Sequence, residues 1–550
     1  MARAAGNAKN EPEILLFLSI MEKDTSLSTL YAYLKSFHLS DSLILIGAIN
    51  SALKYGLKHF SKEKIAPHVI EWLQKNCKTH QNFLTIYLDS GRLARYLLLS
   101  GANDYRSKRL ELKNDSFAIA LNMTGAIYDT ELEKRLFAED GAPGLFARMT
   151  QKQFPLQADQ QSVIGRGYLL FVQLAEKCME GYSFDRKMCE YYSMGAYDFI
   201  ATGMTLWMKT NGYESGLLTM EIPAMKDVAS DANQTQFLLL SSGAPEDYRR
   251  YIRGENWKLP DQLKDTYGAE PFNRMPAVTI THSMLYKAGT FVIPQPRFFF
   301  DRASSGIFYL LADKEQEIAR KVGNKGQNPF RKEFGHIYRK YAGIQLGQRN
   351  NKFQFIDMDE DFDNTSNISI PDFALVKDNI CVLFEIKTTL LKIAARSYFE
   401  PAVLKAEIME GSFKKGLTQL HSFAENIING KIDDSRFKNI TQVIKVIIGY
   451  EDVFVLNTVL LPLVQEAYKA VASNLQLGSV SDLDIMGTII SENLDLVDLL
   501  AEKASHPDER SYSFIGSWDQ KYGKKNLILK RAFDDLMHRM IGNTSHESRY

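Results

Sequence analysis

The stretch SIPDFALVKDNICVLFEIKTT, residues 369–389, carries three side chains suited to cutting a phosphodiester: Asp372, Glu385 and Lys387. Both flanks of Asp378-Asn379 are rich in β-branched and aromatic residues, the composition of paired strands. A two-residue reversal there sets the register by counting. Lys377 falls opposite Ile380, Val376 opposite Cys381, and Asp372 opposite Glu385. Opposed residues share a face of the sheet, with Cβ atoms about 4.5–5.5 Å apart. The period of two along a strand brings Lys387 to the same face.

Two acids held face to face destabilise a sheet unless something lies between them. A divalent cation removes the repulsion, since Mg²⁺ accepts one or two carboxylates and keeps waters in its other positions. Such a metal activates water and polarises a phosphoryl oxygen. A neighbouring lysine orients the water and offsets charge developing in the transition state. Pro260-Asp261 and Pro507-Asp508 repeat the first dipeptide without an acid-x-Lys on a following strand.

Pro371-Asp372 followed by Glu385-Ile386-Lys387 resembles the signature of the PD-(D/E)xK, or restriction-endonuclease-like, nuclease superfamily. The resemblance implies an αβββαβ core over about a third of the chain. Asp372 and Glu385 would be metal ligands, the Ile386 carbonyl would complete the coordination, and Lys387 would be the catalytic lysine. Mg²⁺ or Mn²⁺ would be the cofactor. It further suggests a glutamate on the first core helix, for which Glu333 is the candidate, although some relatives carry the acid where this chain has Arg339. Gln419 resembles a glutamine often found on the helix after the acid-x-Lys strand. A first-turn glutamate favouring the helix dipole and a solvated glutamine are the plain alternatives.

The elements needed around the hairpin can be read from periodicity. In ARKVGNKGQNPFRKEFGHIYRKYAG, Phe330, Phe334, Ile337 and Tyr341 fall on one helical face. Strands are expected at Phe353–Ile356, Ile368–Val376, Ile380–Lys387, Val443–Ile448 and Ile485–Ile490, with an acidic loop, DMDEDFDN, after the first. Helices are expected over Phe413–Ile428, from Val455, and after Ser491. The nuclease-like domain then spans 315–505, behind a leader (1–12), a mainly helical domain (13–212) and a mixed α/β region (213–314), with a helical tail at 506–550. In the first half helices are expected over Asp41–Tyr55, from Pro67, and around Arg92–Ser100, Ser162–Met179 and Glu190–Lys209. Short strands are expected at Ala277–Ile280 and Gly289–Ile293. The fold class is mixed α/β, or α+β.

Lys plus Arg (66) equals Asp plus Glu (66), so no global field draws the protein to a polyanion or an anionic membrane. Nucleic-acid contact therefore needs a local patch. Arg331, Lys332, Arg339, Lys340, Lys414 and Lys415 are candidates, with Arg320, Lys321 and Lys325 nearby; otherwise these are solvated helix faces. His336 is a lone helix histidine. Four scattered cysteines, Cys77, Cys178, Cys189 and Cys381, fit buried thiols in a reducing compartment. The N-terminal residues lack the apolar core of a signal peptide and no apolar run reaches membrane-spanning length, which points to the cytoplasm. No P-loop, H-E-x-x-H or G-x-S-x-G motif supports an NTPase, metalloprotease or serine hydrolase.

The expected function is a metal-dependent nuclease, preferring DNA, in a regulated prokaryotic defence role by analogy. An RNase or repair nuclease is the rival within enzymes. A non-catalytic nucleic-acid- or protein-binding module on a nuclease-like scaffold is the rival outside them. The N-terminal region could bind a regulatory protein or ligand, and the chain could oligomerise.

Overall fold

The computed structural model describes residues 25–53, 67–127, 159–178, 181–209, 217–219, 229–254, 264–265, 270–280, 290–323, 328–363, 368–388, 401–410, 412–452, 456–506, 510, 514 and 525–546. Lys325, Pro260-Asp261 and Pro507-Asp508 lie outside them. The architecture is α+β, mostly helical with two sheets. None of the described helices is long and apolar enough to cross a membrane.

The first half is built on helices Leu27–Leu34, Leu39–Leu53, Pro67–Asn76, His80–Leu99 and Ser116–Ala126, whose leucines and aromatics share one core. The helix expected at Asp41–Tyr55 starts two residues earlier, which places Asp41 in its first turn. The helix expected around Arg92 begins at His80, capped by Thr79. The expected Glu190–Lys209 helix is two helices, Phe184–Tyr192 and Ala196–Lys209, broken where Ser193 takes φ 53°. A small mixed sheet orders Leu217–Thr219, Thr290–Val292, Ala277–Thr279 and Ser242–Gly243.

A 26-residue helix, α1 (Pro296–Lys321), runs straight through residue 315, the expected start of the next domain. Its apolar face and that of helix α2 (Pro329–Leu346) enter one continuous core with residues from both halves of the chain. Asn328 caps α2 and Pro329 occupies the first turn, where its missing N–H leaves no helical bond unmade.

The second sheet has five strands in sequential order: β1 (Gln354–Asp357), β2 (Phe373–Lys377), β3 (Ile380–Lys387), β4 (Gln442–Gly449) and β5 (Leu475–Gly478). β1, β2 and β3 are antiparallel; β4 and β5 continue in parallel with β3. Helix α3 (Ser412–Ile428) makes the crossover from β3 to β4 and packs on both. Alternation separates the faces. Phe373, Leu375, Val382 and Phe384 pack with Phe334, Ile337, Tyr338 and Tyr341 of α2. Ala374, Val376, Cys381 and Leu383 pack with Phe413, Leu417, Leu420 and Phe423 of α3. Each large apolar side chain buried this way contributes about 2 kcal/mol.

Two expected strands need correction. Ile368–Ile370 precede the ladder, which begins at Phe373. Ile485–Ile490 lies inside helix α4 (Val480–Ser491), and the last strand is the shorter β5 before it. A capping box decides this: Ser479 Oγ accepts from the Asp482 N–H, and the Asp482 carboxylate accepts from the Ser479 N–H.

Helix α5 (Leu496–Ser505) follows; Asp495 at its cap and Asp498 in its first turn pair with Lys377 at 2.7 and 2.5 Å. Helix α6 (Leu527–His546) belongs to the expected tail, yet Leu529, Leu536 and Met540 are buried in the main core. It crosses helix Gln160–Tyr168 so closely that Gly165 faces the Leu529 backbone.

Candidate active site

Asp372, Glu385 and Lys387 meet at one end of the β2–β3 hairpin. The reversal falls at Asp378-Asn379, with Asp378 at φ 50°, a conformation that short polar residues tolerate. The ladder pairs Lys377 with Ile380 and Phe373 with Phe384, so the next step outward sets Asp372 against Glu385, as counting predicts. The join is direct: the Ile386 N–H donates to Asp372 Oδ2 at 2.7 Å. Residue 386 therefore serves Asp372 through its amide, a role the resemblance did not imply.

Glu385 is 3 % exposed, the least exposed of the three. Lys387 Nζ donates to its Oε1, while Oε2 has no hydrogen-bond partner among the described residues. Burial, then the neighbouring Asp372 charge, push the Glu385 carboxyl up to about 7, against the pull of Lys387. Asp372 is also raised, by burial first, opposed by the Ile386 amide and then Arg339. A buried, unpartnered carboxylate oxygen is costly. An oxygen in that state beside a second carboxylate is a place a hard cation would occupy.

Arg339, expected as a nucleic-acid contact, is instead engaged inside the site. Its Nε donates to Asp372 Oδ1 at 3.0 Å, and its Nη2 lies 2.5 Å from Asp357 Oδ1 and 3.0 Å from Asp359 Oδ2. The guanidinium lies over the Phe373 ring, 4.7 Å from its centroid. It reaches round the end of β2 from α2, which covers the opposite face. Asp357 and Asp359 come from the acidic DMDEDFDN segment, whose role in the site sequence reading missed; its density of aspartates beside a strand end was the available signal.

The chain matches no family model, no curated protein and no solved structure. The residues must speak for themselves. Among the described residues, no group of three or more His, Cys, Asp or Glu side chains is placed to hold a metal ion. The pair Asp372 and Glu385 nevertheless fits a Mg²⁺-type ion, which needs only one or two carboxylates alongside water and substrate oxygens.

Glu333 does not join them. Six residues from Arg339, it lies about 120° round the α2 axis and about 9 Å along it, and it has no hydrogen-bond or ion-pair partner among the described residues. Gln419 does reach the site: its Nε2 donates to the Ile370 carbonyl, anchoring the segment that delivers Asp372. One further neighbour escaped sequence reading. Gly416 of α3 lies against the Glu385 and Lys387 side chains.

Arg331, Lys332 and Lys340 on α2, and Lys414 and Lys415 on α3, are exposed, as is His336. Of the cysteines, Cys77 and Cys381 are buried, but Cys189 is exposed, contrary to the expected buried thiols.

Proposed function

We propose that this protein is a divalent-metal-dependent nuclease acting on DNA, with the β1–β4 sheet, α2 and α3 as a restriction-endonuclease-like core. One observation carries the reading: a carboxylate buried with one oxygen unpartnered, Glu385, is set against Asp372 with the Lys387 amine in contact. The strand order, helix–three strands–helix–strand with the fourth strand parallel to the third, supports it.

Asp372 and Glu385 would hold the ion, Mg²⁺ or Mn²⁺, which supplies Lewis-acid stabilisation and an activated water. Lys387, released from Glu385 when that carboxylate is otherwise engaged, can orient the attacking water and stabilise the phosphoryl oxygens. The Ile386 amide fixes Asp372, and Gln419 fixes the chain leading to it. The exposed lysines and arginine on α2 and α3 supply sequence-independent phosphate contacts. A regulated role in prokaryotic defence is the biological setting this reading suggests. One observation favours a second reading, a binding module without catalysis: Arg339 already occupies an oxygen of Asp372.

Wild type and Lys387→Ala incubated with plasmid, linear duplex, single-stranded DNA and RNA, in Mg²⁺, Mn²⁺ or EDTA, test the proposal. Metal-dependent DNA cleavage by wild type alone is expected. Equal cleavage by both proteins would remove the site from the chemistry, and preferential RNA cleavage would replace DNA as substrate. A wild type that binds Mn²⁺ and DNA but cuts nothing would favour the binding module.

A further inference from the structure

Among the described residues two cations pair with the two acids, Lys387 with Glu385 and Arg339 with Asp372, and Arg339 comes from outside the hairpin. Among the same residues, four groups contact Asp372: the Phe384 carbonyl and Met358 N–H through its backbone, the Ile386 N–H through its carboxylate, and Arg339 through both, its Nε donating to Oδ1 and its Nη2 to the backbone carbonyl. The Ile386 amide is part of the sheet and cannot leave. The guanidinium sits at the end of a flexible stem and is held on its other side by Asp357 and Asp359. Glu385 Oε2, buried and unpartnered, lies beside the carboxylate that Arg339 engages.

We propose that Arg339 is a built-in competitor for the metal: it pairs with Asp372, and a divalent cation binding Asp372 and Glu385 would displace it from that carboxylate and leave it to Asp357 and Asp359. The inference rests on the nuclease reading for the presence of a metal there. A monovalent cation fixed against a ligand repels a divalent ion entering the same space, and weakens with distance. Asp357, the last residue of β1, and Asp359, on the short helix Met358–Asp361 that Asp357 caps, already hold the far side of the guanidinium and can keep it when Asp372 is taken. Arg339 thus acts as a positioning residue that sets how much metal the site needs. The aspartates of the acidic segment tune it from the side away from the hairpin.

Mn²⁺ titration followed by electron paramagnetic resonance reads this without any cleavage. Arg339→Met keeps the stem over Phe373 and should bind Mn²⁺ about fivefold or more tightly than wild type. Arg339→Lys, which keeps the charge, should stay within about twofold of wild type. Asp357→Asn with Asp359→Asn should weaken Mn²⁺ binding, because the guanidinium is left to Asp372 alone. That weakening should shrink when the pair is combined with Arg339→Met, separating it from a general loss of negative charge. Circular dichroism melts confirm that each variant is folded. Unchanged or weaker binding by folded Arg339→Met, with wild type binding normally, overturns the inference and leaves the nuclease reading standing. Absence of binding in both, with both folded, overturns the two together.

Discussion

Gly416 on α3 stands directly against the Glu385–Lys387 pair: a Cβ at that position would lie 3.1 Å from Glu385 Cγ and 3.0 Å from Lys387 Cε. The helix can cover the two charged side chains this closely only because residue 416 has no side chain. Gly416→Ala forces the lysine stem aside, and Gly416→Val forces both. Mn²⁺ affinity and cleavage should fall about tenfold in the alanine variant, with a stability change of only about 1 kcal/mol in either direction. Calorimetric melts beside Mn²⁺ titration check this; unaltered affinity would mean that the pair has room to spare.

Glu385→Gln should abolish cleavage yet stabilise the metal-free fold. With its carboxyl raised to about 7 from an ordinary 4.5, folding favours the protonated acid. That contribution is complete below about pH 4.5 and is lost as pH rises through 7. The amide mimics the neutral acid, so the gain should appear near neutrality and above, at about 3 kcal/mol, and vanish in acid. Urea unfolding across the pH range measures it. A variant less stable than wild type near pH 8 would contradict the argument.

Gln419→Ala removes the donor to the Ile370 carbonyl and frees the approach to Asp372. A lost hydrogen bond of this kind costs about 1 kcal/mol of stability. The larger effect should be on kcat, about tenfold, because catalytic geometry tolerates little displacement. Gln419→Glu, which cannot donate when ionised, should resemble alanine. If kcat is unaffected in both, the contact is structural only.

Lys445 provides a pH test away from the site. It lies 3 % exposed on β4, its Nζ donating to the Val471 carbonyl at 2.6 Å. Burial lowers its pKa to about 8 from 10.5, only partly offset by Glu425. The charged lysine is therefore the costly form, and its penalty is complete below pH 8 and fades between 8 and 10.5. Lys445→Met should raise stability at neutral pH and flatten that rise. A steeper pH dependence in the variant would be the wrong sign.

Arg166→Met should be strongly destabilising. Arg166 pairs with Asp484 of α4 at 2.8 Å and approaches Asp452 at 3.9 Å, joining the helix Gln160–Tyr168 to the five-stranded sheet's helical cover. Tyr341 of α2 also donates to Asp484. Removing the arginine leaves Asp484 buried without its counter-ion, a loss of about 3–5 kcal/mol. Arg166→Met with Asp484→Asn should recover part of it; a fully additive loss in the double variant would argue against a direct pair.

What could be read in advance was whatever depends on neighbours in the chain. The hairpin register is local, because a two-residue turn and a period of two leave nothing to choose. Hence Lys377 pairs with Ile380 and Asp372 comes to Glu385. Helix α3 was legible because its stripe of Phe413, Leu417, Leu420 and Phe423 repeats at helical spacing. The run Ile485–Ile490 was not: a short apolar segment satisfies both periods, and only the Ser479–Asp482 cap and enclosure on all sides make it helix. Residue 315 looked like a boundary because the composition turns basic just after it. Burial of Leu311, Ala312 and Glu315 inside α1 carries the chain straight past.

By itself, then, the sequence determined that two acids and an amine share one sheet edge, since adjacent strands joined by a tight turn have a single register. Only the tertiary structure decided what else meets them there. Gly416, Arg339, Asp357 and Asp359 arrive from separate elements, and the packing of α2 and α3 on opposite faces sets their distances. Contacts between elements depend on how whole faces bury one another, which no local spacing encodes.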